Sequence, residues 1–285
     1  MDFVDAADLT QALTVLAERG SEATVLAGGT DVMVQYLCRD VRPSILLHVR
    51  RVSELSGIET SDSTTTLGAT TTHWQLRTDE RVGHAHPALA DAAATVGGRQ
   101  TQNVGTIAGN VVNASPAADL LPPLLIADAT VRLANSSGSR VVPLAEFVVG
   151  RRATTRAPDE LVTHVTLERI GDRTGEVYLK IGRRRAMEVA IVGLAARLKF
   201  DEEGQVEDAR LAVCSVGPVP FRATEAERAL VGSDGRDSAL REAAELLRRA
   251  AAPIADARAT AAYRTRVLTP LLERAVASCR TRAGH

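Results

Sequence analysis

Cysteine, lysine and aromatic residues are all scarce in this chain. Its 285 residues include three cysteines, one tryptophan, three tyrosines and four phenylalanines, and the only lysines are Lys180 and Lys199. Cys38, Cys214 and Cys279 stand far apart, with no Cys-x-x-Cys spacing. Neither a zinc site nor an iron–sulfur cluster is therefore expected within the chain. No apolar run reaches the length of a membrane span. The start, Met1-Asp2-Phe3-Val4-Asp5, lacks the basic and then apolar stretches of a secretion signal, so a cytoplasmic location is the expectation. The formal net charge is -1, which gives no broad attraction to nucleic acid or to an anionic membrane. With aromatics at 3%, alanine, valine and leucine must fill most of the core.

What is present reads as a mixed α+β chain, long enough for two or three packed units. Asp8 can cap a helix through Leu9, Leu13 and Leu16 that stops at Gly20. Ala23 to Ala27 reads as a buried strand. Thr30 or Asp31 can cap a helix through Val32, Met33, Tyr36 and Leu37, and Ser44 to Val49 reads as another strand. Residues 1–54 thus form a small α/β unit with parallel strands. Residues 55–172 read as a mixed α+β unit. It holds a strand at Thr64–Ala69, a helix at Pro87–Val96, a hairpin across Asn135-Ser136-Ser137-Gly138-Ser139 and a strand at Leu161–Leu167. Residues 173–285 carry three strand-like segments, Val177–Gly182, Val189–Phe200 and Val206–Val216. Helical patterns follow at Thr224–Leu230, Ser238–Ala250 and Thr260–Ser278. This last unit is expected as a three-stranded antiparallel sheet backed by helices.

Two glycine-rich stretches carry the chemistry. Leu26-Ala27-Gly28-Gly29-Thr30-Asp31 lies between a strand and a helix. Glycines there let backbone N–H groups approach an anion, and Thr30 adds a hydroxyl. The pattern is not Gly-x-Gly-x-x-Gly, so a nicotinamide site of that type is not supported. The second stretch runs from Gly97 to Asn110 and is expected as an irregular loop, because glycine and small polar residues disfavour helix and strand. Asn113, Ser115, Pro116 and Asp119 follow it. Asp119 suits hydrogen bonds from sugar hydroxyls or, equally, a cap for a helix through Leu120, Leu121 and Leu124.

The phrases Val-Leu-Ala-Gly-Gly-Thr-Asp at 25–31 and Asn-Val-Gly-Thr-Ile-Ala-Gly-Asn at 103–110 closely resemble the FAD-binding subunits of the xanthine dehydrogenase family. That family includes the medium subunits of carbon monoxide dehydrogenase and of aromatic and N-heterocycle hydroxylases. The resemblance continues in Val-Val-Asn-Ala-Ser-Pro-Ala-Ala-Asp to 119, in Lys180-Ile181-Gly182-Arg183-Arg184-Arg185, in Gly217-Pro218-Val219-Pro220-Phe221-Arg222-Ala223 and in Pro253-Ile254-Ala255-Asp256-Ala257-Arg258-Ala259 with Tyr263-Arg264. It implies that residues 1–54 and 55–172 form a two-part FAD-binding domain and clasp FAD between two glycine-rich loops. Leu26, Ala27, Gly28, Gly29, Thr30 and Asp31 match the first loop; Thr106, Ile107, Ala108, Gly109 and Asn110 match the second. Gly97, Asp119, Leu161 and Lys180 match further positions that touch the cofactor. A lysine near the flavin's N1–C2=O edge would stabilise the anionic reduced ring.

The resemblance also implies partners: a small iron–sulfur subunit and a large subunit with a molybdenum cofactor, assembled as a dimer of heterotrimers. Electrons would pass from the iron–sulfur clusters to FAD and on to an external acceptor. The alternative is a stand-alone FAD-dependent oxidoreductase with its own substrate pocket. Ala108 stands where the family usually has glycine. Gly-Gly-Thr-Asp differs from the His-Ser that follows the glycines in carbon monoxide dehydrogenases. The cysteine-bearing insertion of some relatives is not visible. No acid–base catalyst and no metal ligand is expected here. His84-Ala85-His86 lacks acidic or thiol partners at ligand spacing and reads as a surface loop. His73-Trp74 opens a helical segment, with Trp74 expected in a core or interface. Arg183-Arg184-Arg185 suits either a phosphate or a partner's carboxylates.

Overall fold

The computed structural model describes residues 1–184 and 186–285; Arg185 and the side chain of Asp237 lie outside the described residues. Among the described residues the chain is mixed α and β, with three larger sheets in succession and a small antiparallel pair, Val148–Gly150 with Ala153–Thr154. The first has the order Asp2–Asp5, Ile45–His48, Ala23–Leu26, with both pairings parallel. Parallel neighbours need crossovers, and the helices Leu9–Arg19 and Val32–Leu37 supply them. Asp8 caps the first of these, its Oδ1 accepting from the Gln11 N–H at 2.7 Å. The middle strand carries the buried Ile45, Leu46 and Leu47. The edge strand Asp2–Asp5 is an addition to the strands read from sequence. Its four residues are mostly exposed, so no apolar pattern marks it.

The second sheet is antiparallel, in the order Ile58–Thr60, Thr64–Gly68, Leu161–Glu168, Thr130–Asn135, Gly138–Pro143. Its inward side chains share one core with the first sheet: Leu16, Leu47, Val52, Leu67, Leu76, Leu133 and Val165 belong to a single cluster. The third sheet has four antiparallel strands, Thr174–Ile181, Val192–Phe200, Val206–Cys214 and Phe221–Arg222. The two-residue fourth strand is too short for periodicity to reveal. One face packs on the long helix Ala261–Ala283 through Leu268, Leu271, Leu272 and Val276. The approach is so close that a Cβ on Gly175 would overlap the Cys279 carbonyl.

Three local expectations are corrected. The stretch from Gly97 to Asn110 is largely helical, as Arg99–Val104 and Ile107–Asn113. Thr106 starts the second helix, its Oγ1 accepting from the Gly109 N–H at 3.1 Å; tertiary contacts and this cap override the glycine content. Asp119 caps no helix: Leu121–Ile126 begins after Leu120, and the Asp119 carboxylate is bound elsewhere. His84 ends the helix Glu80–Ala85 and is exposed, whereas His86 is buried at the start of Pro87–Thr95, so the pair is not a surface loop.

Candidate cofactor-binding cleft

The two glycine-rich segments meet. Gly28 lies flat against the backbone of Val104 and Gly105, and a Cβ there would overlap the Val104 carbonyl. Gly29 has φ +72, the left-handed region that glycine enters at least cost. This turn leaves the backbone N–H groups of Gly28, Gly29, Thr30, Asp31 and Val32 without a protein acceptor among the described residues. Opposite them stands the Ile107–Asn113 helix, whose Asn110 Oδ1 is buried and has no hydrogen-bond partner. Five donors and an unpartnered polar side chain thus border one space. That space is a cleft of about 510 Å³, within the range of roughly 300–1,000 Å³ for small-molecule sites.

Ala27, Gly28, Gly29, Thr30, Asp31, Thr106, Ala108, Gly109, Asn110 and Leu161 all line the cleft. Ala108 is helical, so its methyl group meets no backbone strain. Leu26 ends its strand outside the lining, and its Cδ1 packs near Gly29. Ile107 is fully buried in the core, so its contribution is to seat the helix.

Gly97, Asp119 and Lys180 are not in the cleft lining. Gly97, at φ +51, turns the chain into the Arg99–Val104 helix, and its carbonyl accepts from the Met187 N–H. Asp119 and Lys180 bind each other: Nζ to Oδ2 is 2.7 Å, and both side chains are 9% exposed. Tyr178 donates its hydroxyl to Asp119 Oδ1 at 2.7 Å, and Lys180 also donates to the Thr95 carbonyl at 3.0 Å. Burial pushes the Asp119 carboxyl up, while Lys180 and Tyr178 hold it down. Val96, next to Thr95, lines the cleft, so this network stands one residue behind the wall. Lys180 also borders a second hollow with Arg183, Arg184 and Glu188. Both arginines share the Glu188 carboxylate; Arg185 lies outside the described residues.

Sequence reasoning missed several lining residues. His73, Val162, Arg152 and Arg156 all border the cleft. His73 is buried, its Nδ1 has no partner, and burial holds its pKa down to about 4, so it is neutral at pH 7. The arginines sit in a polar stretch that reads as solvated surface, and no spacing signal marks them. Trp74 is half-buried, with the Arg99 guanidinium 3.5 Å from its ring centroid, away from the cleft lining.

Known proteins place this geometry. Residues 1–167 match the family of FAD binding domains in molybdopterin dehydrogenase, and residues 177–279 match the carbon monoxide dehydrogenase flavoprotein C-terminal domain. The chain belongs to the FAD-binding subunits of the molybdopterin dehydrogenases. It is 33% identical over 282 residues to the 6-hydroxypseudooxynicotine dehydrogenase complex subunit alpha of Paenarthrobacter nicotinovorans, covering 99% of this chain and 95% of that protein. It is 30% identical to the xanthine dehydrogenase FAD-binding subunit of Escherichia coli O157:H7, covering 98% and 96%. It superimposes with a TM-score of 0.95, at 28% identity, on carbon monoxide dehydrogenase from Hydrogenophaga pseudoflava lacking the Mo-pyranopterin moiety, covering 99% and 98%.

As a molybdopterin dehydrogenase subunit the chain is part of an oxidoreductase and takes FAD as its cofactor. The cleft fits that group. Unpaired N–H donors suit a pyrophosphate, side-chain-free glycines let it approach, and the Asn110 Oδ1 calls for a polar donor. Among the described residues, no group of three His, Cys, Asp or Glu could hold a metal ion, and no helix is long and apolar enough to cross a membrane.

Proposed function

We propose that this chain is the electron-transfer subunit of a molybdenum-containing hydroxylase. It stands between the iron–sulfur clusters of a small partner subunit and an external acceptor, with substrate oxidation at the molybdenum cofactor of a large partner. FAD, when bound, supplies the exchange of one or two electrons. The chain's own residues bind and orient. The N–H groups from Gly28 to Val32 and the Thr30 hydroxyl hold the pyrophosphate, with Thr106, Gly109 and Asn110 shaping the opposing wall, where the Asn110 Oδ1 suits a hydroxyl of the cofactor. Leu161 borders the adenosine end. His73 and Val96 border the ring end, where Lys180 and Asp119 act as a pair that fixes Thr95 and so the wall itself. The three units are 1–54, 55–172 and 173–285, the assembly is a dimer of heterotrimers, and the complex works in the cytoplasm.

The observation that carries this reading is the run of unpaired donors in contact with the second loop. The test is purification of the chain co-expressed with its neighbouring gene products. A yellow complex that releases FAD on denaturation and contains iron–sulfur and molybdenum subunits is expected. Colourless protein that stays colourless after FAD addition overturns the cofactor site. Substrate turnover by the yellow chain alone overturns the relay and supports a stand-alone oxidoreductase.

A further inference from the structure

Arg156 is a cation in the wall of the cleft that forms no salt bridge among the described residues, with the Glu160 and Asp159 carboxylates nearby but not bound to it. Its Nη1 donates to the carbonyls of Ala157 at 3.0 Å and Glu160 at 2.7 Å, which fixes the side chain without neutralising it. The nearby Glu160 carboxylate is already occupied: Arg140 holds both oxygens, at 2.6 and 2.8 Å, and the Ala157 N–H holds one at 2.7 Å. Among the described residues, Arg156 forms no salt bridge, and its Nε and Nη2 have no protein acceptor. It is half-buried, and burial presses its pKa below the ordinary arginine value. A guanidinium tethered, partly withdrawn from water and left with free N–H groups is built to meet something that enters the cleft.

Its position says which part of the cofactor it meets. A Cβ on Gly20 would overlap the Pro158 carbonyl, so the stretch around Arg156 abuts the end of the first helix, near the start of Ala23–Leu26. A strand rises about 3.3 Å per residue, which puts Ala23 roughly 16 Å along the chain from Gly28. The cleft therefore runs from the loops, at Gly28 and Asn110, to a far end bordered by Ala23 and Arg156. With the pyrophosphate on the loops and the flavin ring toward His73 and Val96, the far end is left for the adenosine.

We propose that Arg156 recognises the adenine of FAD, presenting its guanidinium to the purine and so selecting the dinucleotide over a flavin mononucleotide. A planar guanidinium stacks well on an aromatic base, and its free N–H groups match purine ring nitrogens. The inference rests on the FAD reading above.

The test titrates the apo form of the full chain with FAD, FMN and ADP, followed by flavin fluorescence and calorimetry. Arg156→Leu and Arg156→Gln are each expected to weaken FAD and ADP by the same factor, about tenfold, and to leave FMN unchanged. Retention of the wild-type melting temperature confirms that each variant is folded, and Arg156→Gln serves where Arg156→Leu is not. Equal losses for FAD and FMN, or unchanged ADP affinity, would overturn the role of Arg156 while leaving the cofactor assignment standing. Wild-type protein that binds neither FAD nor ADP would overturn both.

Discussion

Gly28 rests directly on the carbonyl of Val104, with no room for a side chain between them. This contact joins the first glycine-rich loop to the second and makes one cleft from segments about 75 residues apart in sequence. Gly28→Ala must push the two backbones apart. Overpacking of this kind costs about 1–3 kcal/mol, and it also moves the N–H groups that face Asn110. Loss of FAD is therefore expected to exceed the loss of thermal stability, measured as flavin retained per polypeptide after gel filtration. A variant that keeps full flavin would refute the contact.

Gly29 acts through conformation rather than space. A Cβ there would stand 3.2 Å from Met33 Cγ and 3.3 Å from Leu26 Cδ1, both flexible neighbours, but φ is +72. Gly29→Val is expected to be the most damaging substitution, since branched residues avoid this region. Gly29→Ala should cost about 1–2 kcal/mol, and Gly29→Asn less. The order Asn, Ala, Val in urea midpoints checks this. Equal midpoints would mean that the turn relaxes freely.

Lys180 and Asp119 are both withdrawn from water, so removing one strands the other. Lys180→Met should destabilise the protein by about 3–5 kcal/mol, because an uncompensated carboxylate remains. Asp119→Leu with Lys180→Met should recover much of that loss. Chemical denaturation of the two single variants and the double variant closes the cycle. Additive losses would show that the pair contributes no coupling.

Much of this fold is legible in the sequence where the cause is local. Asp8 and its helix, the hairpin at residues 130–143 and the helix Thr224–Leu230 follow from caps, turns and periodicity alone. The glycine loops taken singly read as turns, and only their resemblance, in order, to the family's motifs marks them as a candidate site. What is hidden depends on distant partners. The helices after Gly98 form because the His73 N–H binds the Gly105 carbonyl and Ile107 fills the core, which no local rule supplies. Arg156 looks like surface charge until the chain folds and Arg140 takes Glu160 from it. Asp119 suits a sugar or a cap by spacing, and only the third sheet brings Tyr178 and Lys180 to it.

His86 makes stability depend on acidity. It is 1% exposed, both ring nitrogens lack partners, and burial next to Arg197 and Arg169 holds its pKa down to about 3. In the unfolded chain the same ring titrates near 6.5. Between those values the unfolded state binds a proton that the folded state refuses, so stability falls as pH drops from about 6.5 toward 3. The full separation of the two values corresponds to a few kcal/mol, at about 1.4 kcal/mol per unit. Carboxylates titrate in the lower part of that window, so the comparison must be between variants. His86→Leu keeps an apolar side chain of similar size and removes the titration. Melting temperatures at pH 7 should differ little, whereas at pH 5 the variant should gain several degrees relative to wild type. Parallel curves for the two proteins would show that His86 is not held neutral in the folded state.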